Sequence, residues 1–157
     1  MHCWVYDPFL PEGVDLDGAQ RTASLPPLLA RSQVLSLHIP LTTQTYHLIG
    51  AAELAAMPNG AVLSNTARGE VVDELALVAA LRSGALYAAG LDTTTEEPLT
   101  VSNPLLALNN VVLTPHVGGC TPAALAAMAE GAVRNVLGFL GGNPPAASAC
   151  VYPAVLS

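Results

Sequence analysis

The sequence predicts an α/β fold in which a parallel β-sheet is built with helical crossovers. Three short apolar runs typical of buried strands each end in a polar tip, and they occupy residues 61–64, 86–91 and 111–113. Repetition of strand, polar tip and helix is the pattern of such a sheet. Ligands bind outside the carboxyl ends of parallel strands. We therefore expect the charged residues that follow these strands to converge at one edge, namely Arg68, Asp92, Glu97 and His116.

Two further strands and two short helices are predicted upstream. The strands cover residues 3–6 and 33–37, and the helices cover residues 24–31 and 51–57. Asp7-Pro8 ends the first strand in a turn. Ser24 is a candidate N-cap with Pro26 in the first helical turn, and Pro58-Asn59-Gly60 is a strong stop signal for the second helix.

Two helices and a helical turn are predicted downstream, over residues 74–83, 104–108 and 122–140. Asp73 is the expected cap of the first, and Gly84 suits the position just after it. Thr121-Pro122 is a cap followed by proline at the first helical position. The last helix has apolar residues at helical spacing, which favour core packing over a partner-binding stripe: Leu125, Met128, Ala132, Val133, Val136 and Leu137.

Composition bounds the function. The chain has 157 residues, is 52% hydrophobic and carries a net charge of −7, which indicates one globular domain and argues against a nucleic-acid partner. No apolar run approaches the ~20 residues of a membrane span, and no signal-peptide pattern opens the chain, so we expect a cytoplasmic protein without a membrane partner. Cys3, Cys120 and Cys150 have no metal-ligand spacing, so free thiols and no metal are expected.

Five motifs in order make the chain resemble the NAD-binding domain of the D-2-hydroxyacid dehydrogenases, which include phosphoglycerate, glycerate/hydroxypyruvate, formate and D-lactate dehydrogenases. They are Tyr6-Asp7-Pro8, His38-Ile39-Pro40-Leu41-Thr42, Asn65-Thr66-Ala67-Arg68-Gly69, Asp92 with Glu97-Pro98, and Thr114-Pro115-His116. The resemblance implies a Rossmann-like doubly wound parallel sheet, NAD as cofactor and a small 2-hydroxy or 2-oxo acid as substrate. It implies a partial NAD-binding domain over residues 1–142. Residues 143–157 would be a tail returning to a substrate domain, with Val151-Tyr152-Pro153 resembling the family's return segment.

The resemblance assigns catalytic roles to three residues. Arg68 would hold the substrate carboxylate, because a guanidinium binds carboxylates bidentately and stays charged. His116 would donate the proton, since imidazole titrates near neutrality. Glu97 would orient His116 and raise its pKa. Taken singly, the three could be a surface arginine, a solvated loop acid and a helix-cap histidine.

The same resemblance assigns cofactor contacts. Asp7 would accept hydrogen bonds from the adenosine ribose and favour NAD over NADP, although Asp-Pro can simply make a turn. Asp92 would accept from the nicotinamide carboxamide. A lone histidine at a strand end, such as His38, is more often structural, and its loop would run beside the cofactor mainly through backbone atoms. His38 is also among the expected cofactor contacts. The others are Pro40, Thr66, Ala67, Arg68, His116, Gly118 and Gly119.

Some features depart from the family pattern. No G-x-G-x-x-G occurs in the chain, so we expect the first strand, the phosphate loop and the first helix to be absent. The strands ending at Asp7 and Leu37 would then lie on one side of the gap and the other three on the opposite side, leaving edges that favour homo-oligomers. The isolated chain would be inactive and bind NADH weakly or not at all.

The loop after Asp92 reads Thr93-Thr94-Thr95, where the family usually has an aromatic residue, and this change could shift Glu97. Tyr6-Asp7-Pro8-Phe9-Leu10 also resembles the C-terminal-binding corepressors, a regulatory branch of the same family. A non-catalytic relative that acts through association therefore stays an alternative.

Overall fold

The computed structural model describes residues 1–146 and divides the chain into two compact units, Met1–His116 and Val117–Ser157. The first unit contains six strands: β1 (Trp4–Val5), β2 (Gln20–Arg21), β3 (Val34–Leu37), β4 (Ala61–Asn65), β5 (Leu86–Leu91) and β6 (Val111–Leu113). Its helices are α1 (Leu25–Leu29), α2 (Ala51–Ala56) and α3 (Glu74–Ser83), with 3₁₀ turns at Gly69–Val71 and Pro104–Ala107. The second unit contains α4 (Pro122–Leu140).

All strand pairs in the first unit are parallel, as the α/β prediction requires. Four strands form one sheet in the order β3-β4-β5-β6, and β1 and β2 form a second, two-stranded sheet. The carboxyl ends are in register, because Asn65 pairs with both Leu37 and Leu91, and Leu91 pairs with Leu113. The loops that begin after β4, β5 and β6 therefore leave the sheet at the same edge.

The predicted grouping of the strands on the two sides of the gap was wrong for one strand. The strand ending at Leu37 was expected beside the strand ending at Asp7, yet β3 pairs with β4. The neighbour of β1 is β2, which the sequence analysis did not predict. Both residues of β2 are exposed, so it carries neither the apolar run nor the alternation that marks a strand.

Helix α3 shows why the local predictions succeeded. The Asp73 side chain accepts a hydrogen bond from the Ala76 N–H, and Gly84 adopts the left-handed conformation (φ 76°) that ends the helix. Its buried face, Leu77, Val78 and Leu81, joins the core. The other core side chains come mainly from β3, β4, β5 and the segment before α2, and include Leu35, Leu37, Ile49, Leu63 and Leu86. This core fixes the strand ends that carry the site.

Helix α4 begins as expected, because the Thr121 hydroxyl accepts from the Ala124 N–H and Pro122 opens the helix. The expected core packing is not found, since no residue of α4 is buried. Among residues 1–146, α4 is the one helix long and apolar enough to cross a membrane, contrary to the expectation that no run approaches that length. Length and composition alone do not distinguish a membrane span from other apolar helices.

Candidate active site

The turn after β4 presents Arg68, and Asn65 shapes that turn. The Asn65 side chain is 1% exposed. Its Nδ2 donates to the Arg68 carbonyl at 2.9 Å, and its Oδ1 accepts from the Ala67 N–H at 3.0 Å. Both ends of the amide are therefore used to close the turn. Arg68 itself is exposed, and its guanidinium makes a 2.6 Å hydrogen bond to the Ala67 carbonyl.

Gly69 lets the turn after β4 lie directly against the loop after β5. A Cβ at Gly69 would stand 2.0 Å from the Thr94 carbonyl carbon and 2.4 Å from the Thr95 nitrogen. Backbone atoms cannot approach a side chain that closely, so glycine is required here by contact. This contact brings Arg68 and the loop that carries Glu97 together, although the two lie about 30 residues apart in the sequence.

Glu97 and His116 form a direct pair at the edge of the sheet. Glu97 Oε2 lies 2.8 Å from His116 Nδ1, and the two side chains are 40% and 47% exposed. Glu97 Oε1 accepts from the Thr94 N–H at 3.1 Å, so both carboxylate oxygens are engaged. The departure from the family at Thr93-Thr94-Thr95 therefore leaves Glu97 within hydrogen-bond distance of His116.

The pKa of Glu97 is held below its ordinary value of 4.5. The largest cause is the hydrogen bond from His116, followed by that from the Thr94 N–H; burial opposes them with a smaller effect, and the charges of His116 and then Arg68 add the smallest lowering. An ionised carboxylate only accepts, so the hydrogen in the pair must lie on His116 Nδ1. This leaves His116 Nε2 as the ring nitrogen for a substrate.

The backbone of His116 is held in an uncommon conformation. Its φ is 54°, in the left-handed region that few non-glycine residues adopt. The His116 N–H donates to the Asp92 carbonyl at 2.9 Å and to the Thr114 carbonyl at 3.0 Å, which anchors this geometry to β5. Asp92 is 8% exposed, and its carboxylate accepts from the Thr114 hydroxyl. Strained residues of this kind cluster at functional sites, so the backbone supports the role assigned to His116.

An open cleft of about 510 Å³ lies beside Arg68. Four of the predicted cofactor contacts line it together with Arg68, and they are His38, Pro40, Thr66 and Ala67. His38 Nε2 lies 2.8 Å from the Ser36 hydroxyl, which orients the ring. Asp92, Glu97 and His116 do not line this cleft, so the structure divides the predicted residues between the cleft and the Glu97–His116 pair.

Asp7 follows β1, in the two-stranded sheet. Its Oδ1 accepts from the Phe9 N–H at 2.9 Å, which is the turn that the plainer interpretation of Asp-Pro expected. The Arg21 guanidinium donates to the Asp7 carbonyl at 3.3 Å, so β2 helps to fix this strand end. A turn contact made through one oxygen is compatible with a ribose contact made through the other.

Some predicted features lie elsewhere. Gly118 and Gly119 belong to the second unit, and the segment Val151-Tyr152-Pro153 lies outside the described residues, as does Cys150. Cys3 and Cys120 are free and exposed. Within residues 1–146 no cluster of three His, Cys, Asp or Glu side chains could hold a metal ion.

The sequence analysis assigned no role to several residues that hold the site residues in position. Asn65 was part of a motif but had no role assigned, although buried asparagine after a strand indicates a turn-closing amide. Thr114 was also part of a motif without an assigned role, and its hydroxyl donates a hydrogen bond to the Asp92 carboxylate. Gly69 and Glu74 act through residues far away in the sequence, and no local signal marks such contacts.

Comparison with known proteins gives consistent results. Residues 1–118 match the sequence model of one protein family, described as D-isomer specific 2-hydroxyacid dehydrogenase, NAD binding domain. Glyoxylate/hydroxypyruvate reductase B of Yersinia pestis (strain Pestoides F) is 48% identical over 136 residues, which are 87% of this chain and 41% of the reductase. This chain thus spans less than half the length of that relative.

Solved structures agree in fold. The TT0316 protein from Thermus thermophilus superposes with a TM-score of 0.84 at 44% identity, covering 93% of this chain and 45% of that one. D-lactate dehydrogenase from Aquifex aeolicus, solved with NAD and lactic acid, gives a TM-score of 0.82 at 33% identity, covering 91% and 47%. The Yersinia reductase and the Aquifex D-lactate dehydrogenase are named as enzymes, which gives the regulatory alternative no support. The sequence, the fold and these comparisons show that the chain belongs to the D-isomer specific 2-hydroxyacid dehydrogenases, through their NAD-binding domain.

Proposed function

We propose that this chain supplies the NAD-binding and proton-donating part of an NAD-dependent D-2-hydroxyacid dehydrogenase, which interconverts a small 2-hydroxy acid and its 2-oxo acid. The observation that carries the proposal is the 2.8 Å pair between Glu97 and His116, with Arg68 close enough to lower the pKa of Glu97. A carboxylate-bound imidazole beside a guanidinium suits the reduction of a carbonyl next to a carboxylate.

The chemistry follows from these three side chains. Arg68 holds the substrate carboxylate and draws electron density from the adjacent carbonyl. When bound, NADH supplies the hydride that reduces the carbonyl carbon. His116 gives its Nε2 proton to the alkoxide oxygen that forms. Glu97 accepts from Nδ1 and so fixes the orientation of the His116 ring, with Nε2 left for the substrate.

The residues present fit part of an NAD site. The carboxylate of Asp7 follows a parallel strand, where an acid can accept from ribose hydroxyls, and the cleft beside Arg68 is lined by the predicted loop residues. The glycine-rich phosphate loop does not occur in the 157 residues. A dinucleotide would therefore lack its pyrophosphate contacts to a helix N-terminus, and we expect the purified chain alone to bind NADH weakly.

Activity is best tested in a chimera. The 136 matching residues of the Yersinia reductase are replaced by the part of this chain that they match, and NADH-dependent reduction of hydroxypyruvate and glyoxylate is measured. We expect turnover by the chimera and none by the purified 157-residue chain. A folded chimera that reduces neither acid with NADH would overturn the proposed function.

We further propose a cytoplasmic homo-oligomer, a dimer in the simplest case. The exposed free thiols of Cys3 and Cys120 favour a reducing compartment. Within the described residues β1 and β3 each pair on one side only, and such open edges favour association. Light scattering on the purified chain tests the association, and a clean monomer at micromolar concentration would count against it.

A further inference from the structure

Glu74 contacts the loop that carries Glu97 at two points. It lies in the first turn of α3 and is half-buried. Its Oε1 accepts from Asn103 Nδ2 at 2.8 Å, and its Oε2 accepts from the Thr95 N–H at 3.4 Å. These donors lie 29 and 21 residues away in the sequence. One carboxylate thus joins a rigid helix to both ends of the loop over residues 95–103.

The two residues that donate to Glu74, Asn103 and Thr95, connect it to the 3₁₀ turn on one side and to Glu97 on the other. Asn103 is 9% exposed, and its Oδ1 accepts from the Leu105 N–H at 2.9 Å, which caps the following 3₁₀ turn. On the other side, Thr95 adjoins Thr94, whose N–H donates to Glu97 Oε1. Glu97 is exposed and has no core packing of its own. Its distance to His116 therefore depends on how firmly the loop backbone is held.

We propose that Glu74 is a positioning residue for the Glu97–His116 pair, and that it acts by fixing the loop that presents Glu97. This inference rests on the proposed function for its catalytic meaning. Its geometric content does not, because the contacts of Glu74 and the Glu97–His116 pair are made between groups of this chain. The plainer role for Glu74 is to stabilise the N-terminus of α3 as an acid in the first turn. That role predicts a change in stability but none in the Glu97–His116 pair.

The titration of Glu97 distinguishes the two roles. In the purified 157-residue chain, the pKa of Glu97 is read from its side-chain carboxyl carbon by NMR. Loss of the loop anchor in Glu74→Ala should weaken the hydrogen bonds to Glu97 and raise its pKa toward 4.5. Removal of a neighbouring negative charge has the opposite sign and would lower the pKa. A rise therefore cannot come from the lost charge.

Three further variants complete the experiment. Glu74→Gln keeps one oxygen that accepts from Asn103 but loses the acceptor for the Thr95 N–H, so it should raise the pKa of Glu97 by less than Glu74→Ala does. Asn103→Ser keeps a capping oxygen for Leu105 but cannot reach Glu74, so it should raise the pKa as Glu74→Ala does. Glu53→Ala removes an equivalent carboxylate that caps α2 through the Gly50 N–H, and it controls for general destabilisation.

The outcomes are decisive in either direction. A raised Glu97 pKa in Glu74→Ala and Asn103→Ser, with a smaller rise in Glu74→Gln and none in Glu53→Ala, supports the proposal. An unchanged titration in the variants that fold, or an equal rise in Glu53→Ala, overturns it. Should Glu74→Ala fail to fold, Asn103→Ser decides alone. An inactive chimera would overturn the proposed function without affecting this result.

Discussion

Replacing Gly69 by alanine tests the contact on which the site is assembled. The new Cβ would lie 2.0 Å from the Thr94 carbonyl carbon, whereas ordinary contact begins at 3.4 Å, so the two backbones must separate by 1.4 Å. Overpacking of this kind costs about 1–3 kcal/mol, and the atoms that must move are backbone rather than a flexible side chain. The same displacement moves the Thr94 N–H, which donates to Glu97.

Thermal unfolding and the Glu97 titration measure the two consequences. A loss of about 1–3 kcal/mol corresponds to a fall of roughly 2–12 °C in Tm for a chain of this size. We also expect the pKa of Glu97 to rise toward its ordinary value in Gly69→Ala. Gly90→Ala is the matched control, because a Cβ there has no atom within 4 Å. The reasoning is refuted if Gly69→Ala and Gly90→Ala have the same Tm and the same Glu97 titration.

Three more predictions concern single side chains. Asn65→Ala should destabilise the chain by about 2 kcal/mol in urea unfolding, because the Ala67 N–H and the Arg68 carbonyl both lose their hydrogen-bond partner. Asn65→Asp should not be milder, because it places a buried carboxylate against the Arg68 carbonyl, and parent-like stability of Asn65→Ala would contradict the role of the amide. Glu97 should be more than half ionised at pH 4.5 by NMR, and His116→Ala should abolish most of that shift. Since the folded pKa of Glu97 is lowered, ionised Glu97 stabilises the folded chain above pH 4.5, and this contribution is lost as the pH falls through the folded pKa. The contribution is small because the group is exposed, so the NMR titration is the deciding measurement, and a Glu97 pKa above 4.5 would contradict the prediction. In the active chimera, Asp7→Ala should weaken NADH binding and narrow the preference for NADH over NADPH, and calorimetric titration of both cofactors would show an unchanged ratio if Asp7 only makes a turn.

Local signals in the sequence predicted most of the fold. Helix α3 was expected over residues 74–83 and forms Glu74–Ser83, because Asp73 and Gly84 mark its two ends chemically. The strands β5 and β6 were expected with their observed bounds, since each is a short apolar run between turn residues. The order of strands depends on long-range pairing, and here β3 was assigned to the wrong side.

The candidate site was predictable at the level of strand ends. Asp92 and His116 follow strands whose carboxyl ends share an edge, and parallel topology alone brings them together. The contacts that hold them were not predictable. Gly69 against Thr94, and Glu74 against Asn103, join segments 25 and 29 residues apart, and neither residue type signals such a contact locally.

The role of His116 as proton donor is the central claim, and its most direct test is hydroxypyruvate reduction by the chimera with His116→Gln. Glutamine fills similar space but cannot carry a titrating proton. Loss of a general acid of this kind costs about 10²–10⁴-fold in kcat, while NADH binding should be retained. We predict a fall in kcat within that range. A chimera that keeps its kcat after His116→Gln would contradict the account.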